Sequence, residues 1–182
     1  MGFWKKARDI HLEPTKFFGE VDGEGFGAPS KFAATVGLVF AGLIAVLGLM
    51  AVLFSEMAAL NLAFITVLLL IIFPVTLVFS AFFQAAMVHL AVYIFGERGF
   101  SKTYNAVAYP VSAVLLWGWI PILNFLAGIY SIYLQTKGIE TLHDMEFGRA
   151  LICVIWPIIL SLVLTIILVA FIFLLGFGFA LA

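Results

Sequence analysis

Three ionisable side chains, His89, Glu140 and His143, are placed where they could do chemistry in an otherwise apolar sequence. An ionisable group inside a membrane-spanning helix is costly, and it usually faces the interior of a bundle or a water-filled cavity. His89 lies within a long apolar run, on a helical face that it shares with the small residues Ala81 and Ala85. Two interpretations remain open for it: a histidine that relays a proton or contacts a ligand, and a neutral histidine hydrogen-bonded to a backbone carbonyl.

Glu140 and His143 are spaced i, i+3, which places two metal ligands on one face of a helix. A divalent ion needs at least one further ligand. His89, Asp144 or Glu146 could supply it if the inner loops converge. The alternative is an ordinary solvated turn. We therefore expect no cofactor, with a divalent metal at Glu140 and His143 as the alternative.

Uncharged polar residues form further stripes within the apolar sequence. They are Thr76, Ser80 and Gln84, then Tyr104, Asn105 and Tyr109, and finally Asn124, Gly128, Ser131 and Gln135. Such groups commonly join helices through hydrogen bonds of about 1 kcal/mol or less each, and a conduction path is the other interpretation. The candidate polar site therefore comprises His89, Glu140, His143, Gln84, Asn105 and Asn124. No serine or cysteine has a base and an orienting acid nearby in sequence, so we assign no catalytic residue and expect no enzymatic activity.

Composition identifies the elements that must position these residues. The 182 residues are 65% hydrophobic and only 10% charged, whereas soluble domains carry about a quarter charged residues. Four charge-free stretches meet the roughly 20 residues that a span requires: Phe32–Ser55, Met57–Gly96, Thr103–Thr136 and Ala150–Ala182. Their continuous apolar character favours helices over a barrel. The predicted fold class is an all-α, polytopic membrane helical bundle.

Charge and cysteine content exclude several partners and sites. A net charge of −1 gives no electrostatic basis for binding nucleic acid. The single cysteine, Cys153, excludes a disulfide or a cysteine metal cluster within one chain. The expected surroundings are the lipid bilayer, and protein partners would be met at the cytoplasmic face.

The basic residues predict the topology. All nine lysines and arginines fall on one side if the run from 57 to 96 crosses once as a long, kinked helix. The positive-inside rule then places the N-terminus inside and the C-terminus outside. The run from 103 to 136 is divided at Trp117–Pro121 into two short legs. Trp117 and Trp119 suit the outer aromatic belt and favour two spans, which gives five in total. A re-entrant hairpin is the alternative that the basic residues do not exclude.

Two domains are predicted, an amphipathic interfacial segment with a linker at 1–30 and a five-span membrane domain at 31–182. In a helix over Phe3–Glu13, one face would carry Phe3, Trp4, Ala7, Ile10 and His11. This pattern suits a helix in the headgroup layer, with a frayed polar tail as the alternative. Asp22–Ser30 is rich in glycine and indicates a flexible linker.

Small residues at four-residue spacing mark one face of the first span. They are Ala33, Gly37, Ala41 and Ala45. Such a ridge lets a second helix approach closely, either within one chain or between subunits. A homodimer is therefore one of the expected assemblies.

Several short motifs occur in a fixed order along the chain. HLAVYIFGERGFSKT begins at His89, AYP ends at Pro110, IP follows at 120–121, KGIETLH begins at Lys137 and GRA begins at Gly148. The order resembles the Ypt-interacting protein (Yip) domain family of five-span membrane proteins, and HLEPTKFF, from His11, is similar to the family's entry to the first span. The resemblance covers nearly the whole chain. The motif Asp-Leu-Tyr-Gly-Pro, typical of eukaryotic members before the first span, is absent.

The resemblance implies a function as well as a fold. Eukaryotic members bind small prenylated GTPases and act in vesicle traffic and membrane shaping. The expectation for this chain is a non-enzymatic, multi-pass protein of the cell membrane that organises membrane or binds partner proteins at the cytoplasmic face. A small transporter or channel, using the polar stripes with His89 and His143, is the alternative.

Overall fold

A computed structural model describes residues 1–53, 59–118 and 120–180, and within them the regular structure is entirely α-helical. The helices are α1 (Phe3–Leu12), α2 (Pro14–Glu20), α3 (Gly27–Leu53), α4 (Ala59–Ile94), α5 (Phe100–Leu115), α6 (Pro121–His143) and α7 (Phe147–Ala180). The predicted all-α class is confirmed. The second apolar run forms the one long helix α4, with Pro74 inside it, as expected.

Three of the described helices are long and apolar enough to cross a membrane: Gly27–Met50, Phe64–Ile94 and Phe147–Phe173. Their outer faces expose large apolar side chains, as a lipid environment requires; Phe64 is 70% exposed and Val75 66% exposed. Helix α5 has only 16 residues, or about 24 Å at 1.5 Å per residue. The count of five spans therefore stays a prediction, and Trp119, one of the two aromatic markers for it, lies outside the described residues.

The short helix α5 lies at the centre of the bundle. Every residue from Thr103 to Pro110 is buried, and α5 contacts α3, α4, α6 and α1. Small side chains such as Ala106 and Ala108 allow this approach from several sides. Gly138 of α6 shows how close the approach is, because a Cβ there would lie 2.9 Å from the Cα of Ala106.

The small-residue ridge of α3 packs against α4 within the chain. A Cβ added to Gly37 would lie 2.7 Å from the Cα of Pro74, and Ala33 and Ala41 on the same face are fully buried. The ridge is therefore used inside the subunit. The expected homodimer stays a prediction and would need another surface.

The N-terminal helix α1 packs on α5, and α2 packs on α6. Of the predicted apolar face of α1, Ala7 and Ile10 are buried, whereas Trp4 is 71% exposed. In α2, Phe17 makes an edge-to-face contact with Tyr109, with ring centroids 5.1 Å apart. Phe18, also in α2, packs against Gly138 of α6.

Candidate functional site

A threonine joins the two histidines singled out in the sequence. The Oγ1 of Thr103 lies 2.8 Å from Nδ1 of His89 and 3.0 Å from Nε2 of His143. A threonine hydroxyl has one hydrogen, so it donates to one neutral imidazole and accepts from the N–H of the other. This histidine bridge connects α4, α5 and α6. We call the three residues the histidine bridge below.

The surroundings of His143 keep its imidazole uncharged at neutral pH. Burial is the largest cause that lowers the pKa of His143 to about 4, and the nearby imidazole of His89 and the positive charge of Lys102 lower it further. Asp22 acts in the opposite direction and forms an ion pair with Lys102, at 3.1 Å. His143 is the last residue of α6 and is 4% exposed. Hydrogen bonds of this kind are suited to joining helices.

In the described part of the chain, Glu140 forms no hydrogen bond with the histidine bridge. Its Oε2 is 2.8 Å from Nζ of Lys137, three residues earlier on the same helix. Within the described residues, no group of three histidine, cysteine, aspartate or glutamate side chains is arranged to hold a metal ion. Glu140 and His143 therefore have separate partners, and a divalent metal at these residues stays the untested alternative.

A second cluster, not anticipated from the sequence, ties α1 to α5. Nζ of Lys6 lies 2.9 Å from Oε1 of Glu24 and donates to the hydroxyl of Tyr109 at 2.6 Å. The Tyr109 hydroxyl in turn donates to the carboxylate of Glu24. The side chain of Lys6 is 10% exposed and that of Glu24 30% exposed. We call Lys6, Glu24 and Tyr109 the anchor cluster.

The polar residues at the start of α5 hold the segment that the sequence indicated as a linker. Nδ2 of Asn105 donates to the backbone oxygen of Glu24 at 2.8 Å. The hydroxyls of Ser30 and Tyr104 are 2.8 Å apart. The segment from 22 to 30 is thus attached to α5 at several points, and Gly27 already begins α3. Asn105, a predicted site residue, belongs to this attachment.

A third polar group, the amide ladder, lies between α4 and α6. Nε2 of Gln84 donates to Oε1 of Gln135 at 3.2 Å, and Nε2 of Gln135 donates to Oγ of Ser131 at 3.0 Å. The ladder borders an open cleft of about 500 Å³, which Asn124 also lines. Ser80, from the same predicted stripe as Gln84, donates instead to the carbonyl of Leu77 in its own helix.

The six predicted site residues therefore occupy different places. His89 and His143 meet through Thr103, whereas Gln84 and Asn124 line the cleft. Sequence reasoning missed the anchor cluster because Lys6 is 18 residues from Glu24 and 103 from Tyr109. The available signal was a tyrosine hydroxyl in an apolar run, since a buried hydroxyl needs a partner.

Comparison with known proteins identifies the family. The family model described as Yip1 domain matches residues 9–181. Comparisons with curated proteins and with solved structures give no match. The family match covers nearly the whole chain, includes the histidine bridge, most of the anchor cluster and the amide ladder, and confirms the resemblance inferred from the motifs. The chain belongs to the Yip1 domain family, a family of non-enzymatic membrane proteins.

Proposed function

We propose that this chain is a non-enzymatic membrane protein that binds protein partners at the cytoplasmic face and so organises that side of the membrane. The observation that carries the proposal is the anchor cluster, which fixes α1 and α2 on the membrane helices. A free tail loses conformational entropy when it binds a partner, and an ordered surface avoids most of that cost. The N-terminal segment is therefore suited to recognition.

The outward side of α1 and α2 combines charged and apolar groups. Its exposed charged residues are Lys5, Arg8, Glu13, Lys16 and Glu20. Trp4 and Leu12 are each 71% exposed among these charges. Tryptophan is enriched among the residues that dominate binding energy at protein interfaces. Mixed charges around two large apolar side chains favour a protein partner whose surface carries both signs of charge.

The distribution of basic residues supports an inside location for this surface. All nine lysines and arginines lie on one side if α3, α4 and α7 each cross once and α5 with α6 returns to the starting side. Basic residues concentrate in short cytoplasmic segments. We therefore propose that the N-terminus is inside and the C-terminus outside.

We further propose that α5 and α6 form a re-entrant hairpin instead of two full spans. The rings of Phe32 and Tyr109 are 5.4 Å apart, which places these residues at one depth. From there α3 continues 21 residues to Leu53, about 32 Å, whereas α5 continues six residues to Leu115, about 9 Å. A hydrocarbon core is roughly 30 Å thick. On this geometry α5 ends near the middle of the membrane.

The position of α1 supports the same depth. The Tyr130 hydroxyl donates to the backbone oxygen of His11 at 2.7 Å. Two residues later the exposed Glu13 forms an ion pair with Lys16 at 3.0 Å, and exposed charges belong in water or headgroups. From Pro121 to Tyr130, α6 spans about 14 Å, half of the core.

Accessibility of an introduced cysteine tests the hairpin. With Cys153→Ser as background, Trp117→Cys at the tip is expected to resist a membrane-impermeant maleimide added from either side. Lys5→Cys should react only from the cytoplasmic side. Glu56→Cys, which the sequence places between the first two apolar runs, should react only from outside. Reaction of Trp117→Cys from outside at the rate of Glu56→Cys would instead establish two full spans.

Photocrosslinking in cells tests partner binding. A photoreactive amino acid at Trp4 is expected to give protein adducts of defined mass, because this position faces away from the bundle. The matched control is Ile122, which is 79% exposed on the apolar part of α6 and should give lipid adducts only. Lipid adducts alone at both positions would refute the partner proposal and place α1 in the headgroup layer.

A further inference from the structure

The cleft beside the amide ladder opens between four helices. It measures about 500 Å³ and is lined by Gln84 of α4, Val114 of α5, Gly128 of α6 and Ile158 of α7, among others. Pockets for small ligands typically measure 300–1,000 Å³ and are mostly apolar with a few placed polar groups. This cleft has that character.

The surroundings of the cleft are apolar on its open side. Phe125 and Ile129 line it and are 73% and 54% exposed, and Ile158 belongs to a helix that is long and apolar enough to span. A cleft with such a rim opens to acyl chains and not to water. Its natural occupant is therefore a molecule of the bilayer.

Each glutamine of the amide ladder has a second amide hydrogen that is available for a further hydrogen bond. Each glutamine amide nitrogen carries two hydrogens, and each recorded bond of Gln84 and Gln135 uses one of them. Gln135 is 3% exposed and Ser131 is 7% exposed, so water has little access to this end of the cleft. The spare donors carry no charge, which suits an uncharged carbonyl better than a phosphate.

Gly128 leaves room beside the ladder. A Cβ added there would meet no atom within 4 Å. A chain of methylene groups can therefore run along α6 past this residue, between Phe125 and Val114. Burial of apolar surface would contribute about 0.8 kcal/mol per methylene group.

We propose that the cleft binds one glycerolipid of the bilayer. Its ester carbonyl accepts hydrogen bonds from the amides of Gln84 and Gln135, and its acyl chain lies along Gly128. The site recognises the uncharged ester region of the lipid, whatever the headgroup. This inference goes beyond partner binding at the cytoplasmic face and does not depend on it.

Filling the cleft provides the first test. Native mass spectrometry of the full chain, released from nanodiscs of diester phosphatidylglycerol, should show one retained lipid. Gly128→Leu is expected to remove it, because the new Cβ meets no atom within 4 Å and the side chain extends into the space that the acyl chain would fill. Gly42→Leu is the matched control, since a Cβ there also meets no atom within 4 Å and Gly42 does not line the cleft. Equal retention by both variants would overturn the proposal.

The second test addresses the ester directly. Wild-type protein should retain diester phosphatidylglycerol about fivefold better than the dialkyl ether lipid with the same headgroup, the effect of two hydrogen bonds of about 0.5 kcal/mol each. Gln84→Leu removes one of the two donors and should reduce this preference to about twofold, while melting and size-exclusion profiles stay those of a folded protein. Retention that ignores the ester but follows headgroup charge would refute the assignment and point to the basic residues instead.

Discussion

Replacing Lys6 with methionine is expected to detach α1 and α2 from the rest of the bundle. The substitution leaves the carboxylate of Glu24 next to the Tyr109 hydroxyl without its cation, and the Lys6 side chain is 10% exposed. Removing one partner of a buried ion pair commonly costs 3–5 kcal/mol. Because Glu24 is 30% exposed and gains some water, we expect a cost on the order of 3 kcal/mol. Hydrogen exchange over residues 3–20 should accelerate about a hundredfold.

Lys5 supplies the matched control for this experiment. It is the adjacent lysine on α1 and is exposed, so Lys5→Met removes the same charge without a buried partner. Its exchange should stay at the wild-type rate. Equal acceleration in both variants would show that net charge, not the anchor cluster, holds the segment. A double variant of Lys6→Met with Glu24→Gln should cost less than the sum of the two single changes, because their side chains contact each other.

Gly37→Ala is expected to weaken the packing of α3 on α4. The added Cβ would lie 2.7 Å from the Cα of Pro74, and a backbone atom cannot move aside as the end of a side chain can. Overpacking of this kind typically costs 1–3 kcal/mol. The melting temperature of the purified protein in detergent should fall by several degrees.

Gly42 on the same helix gives the control with the opposite sign. A Cβ at Gly42 meets no atom within 4 Å, and alanine is favoured over glycine inside a helix by up to about 1 kcal/mol. Gly42→Ala should therefore leave the melting temperature unchanged or raise it. A fall of equal size in both variants would contradict the close approach at Gly37.

The long helices could be predicted from the sequence because exposure to lipid requires almost every residue in them to be apolar. Apolar runs of the required length predicted α3, α4 and α7, and the structure has helices there. The run from 103 to 136 was less informative. A run of this kind can be apolar because it faces lipid or because it is buried in protein. Helix α5 is buried in protein, since every residue from Thr103 to Pro110 is buried. Hydrophobicity does not distinguish these causes, so span number did not follow from it.

The polar contacts were predictable only in part, for a related reason. His89 was found because ionisable groups in apolar sequence are rare, and His143 was found by its spacing from Glu140. The threonine between them carries no such signal, since Thr103 is an ordinary residue at the start of α5. Lys6 lies outside the apolar face predicted for α1, so its burial was not predicted. Its burial depends on Glu24 and Tyr109, and only tertiary structure brings those together.

The docking of the first twenty residues also dictates an order of events during synthesis. The hydrogen bond from Tyr130 to His11 joins residues 119 positions apart. Lys6 can form its hydrogen bond to Tyr109 only after 103 further residues have been added. At translation rates of 5–20 residues per second, the ribosome takes roughly 6 to 24 s to add 119 residues. Throughout that interval Phe17 and Phe18 have no completed hairpin to cover them. The nascent chain therefore presents two unprotected aromatic rings, which the membrane surface or a chaperone must shield until α6 has emerged.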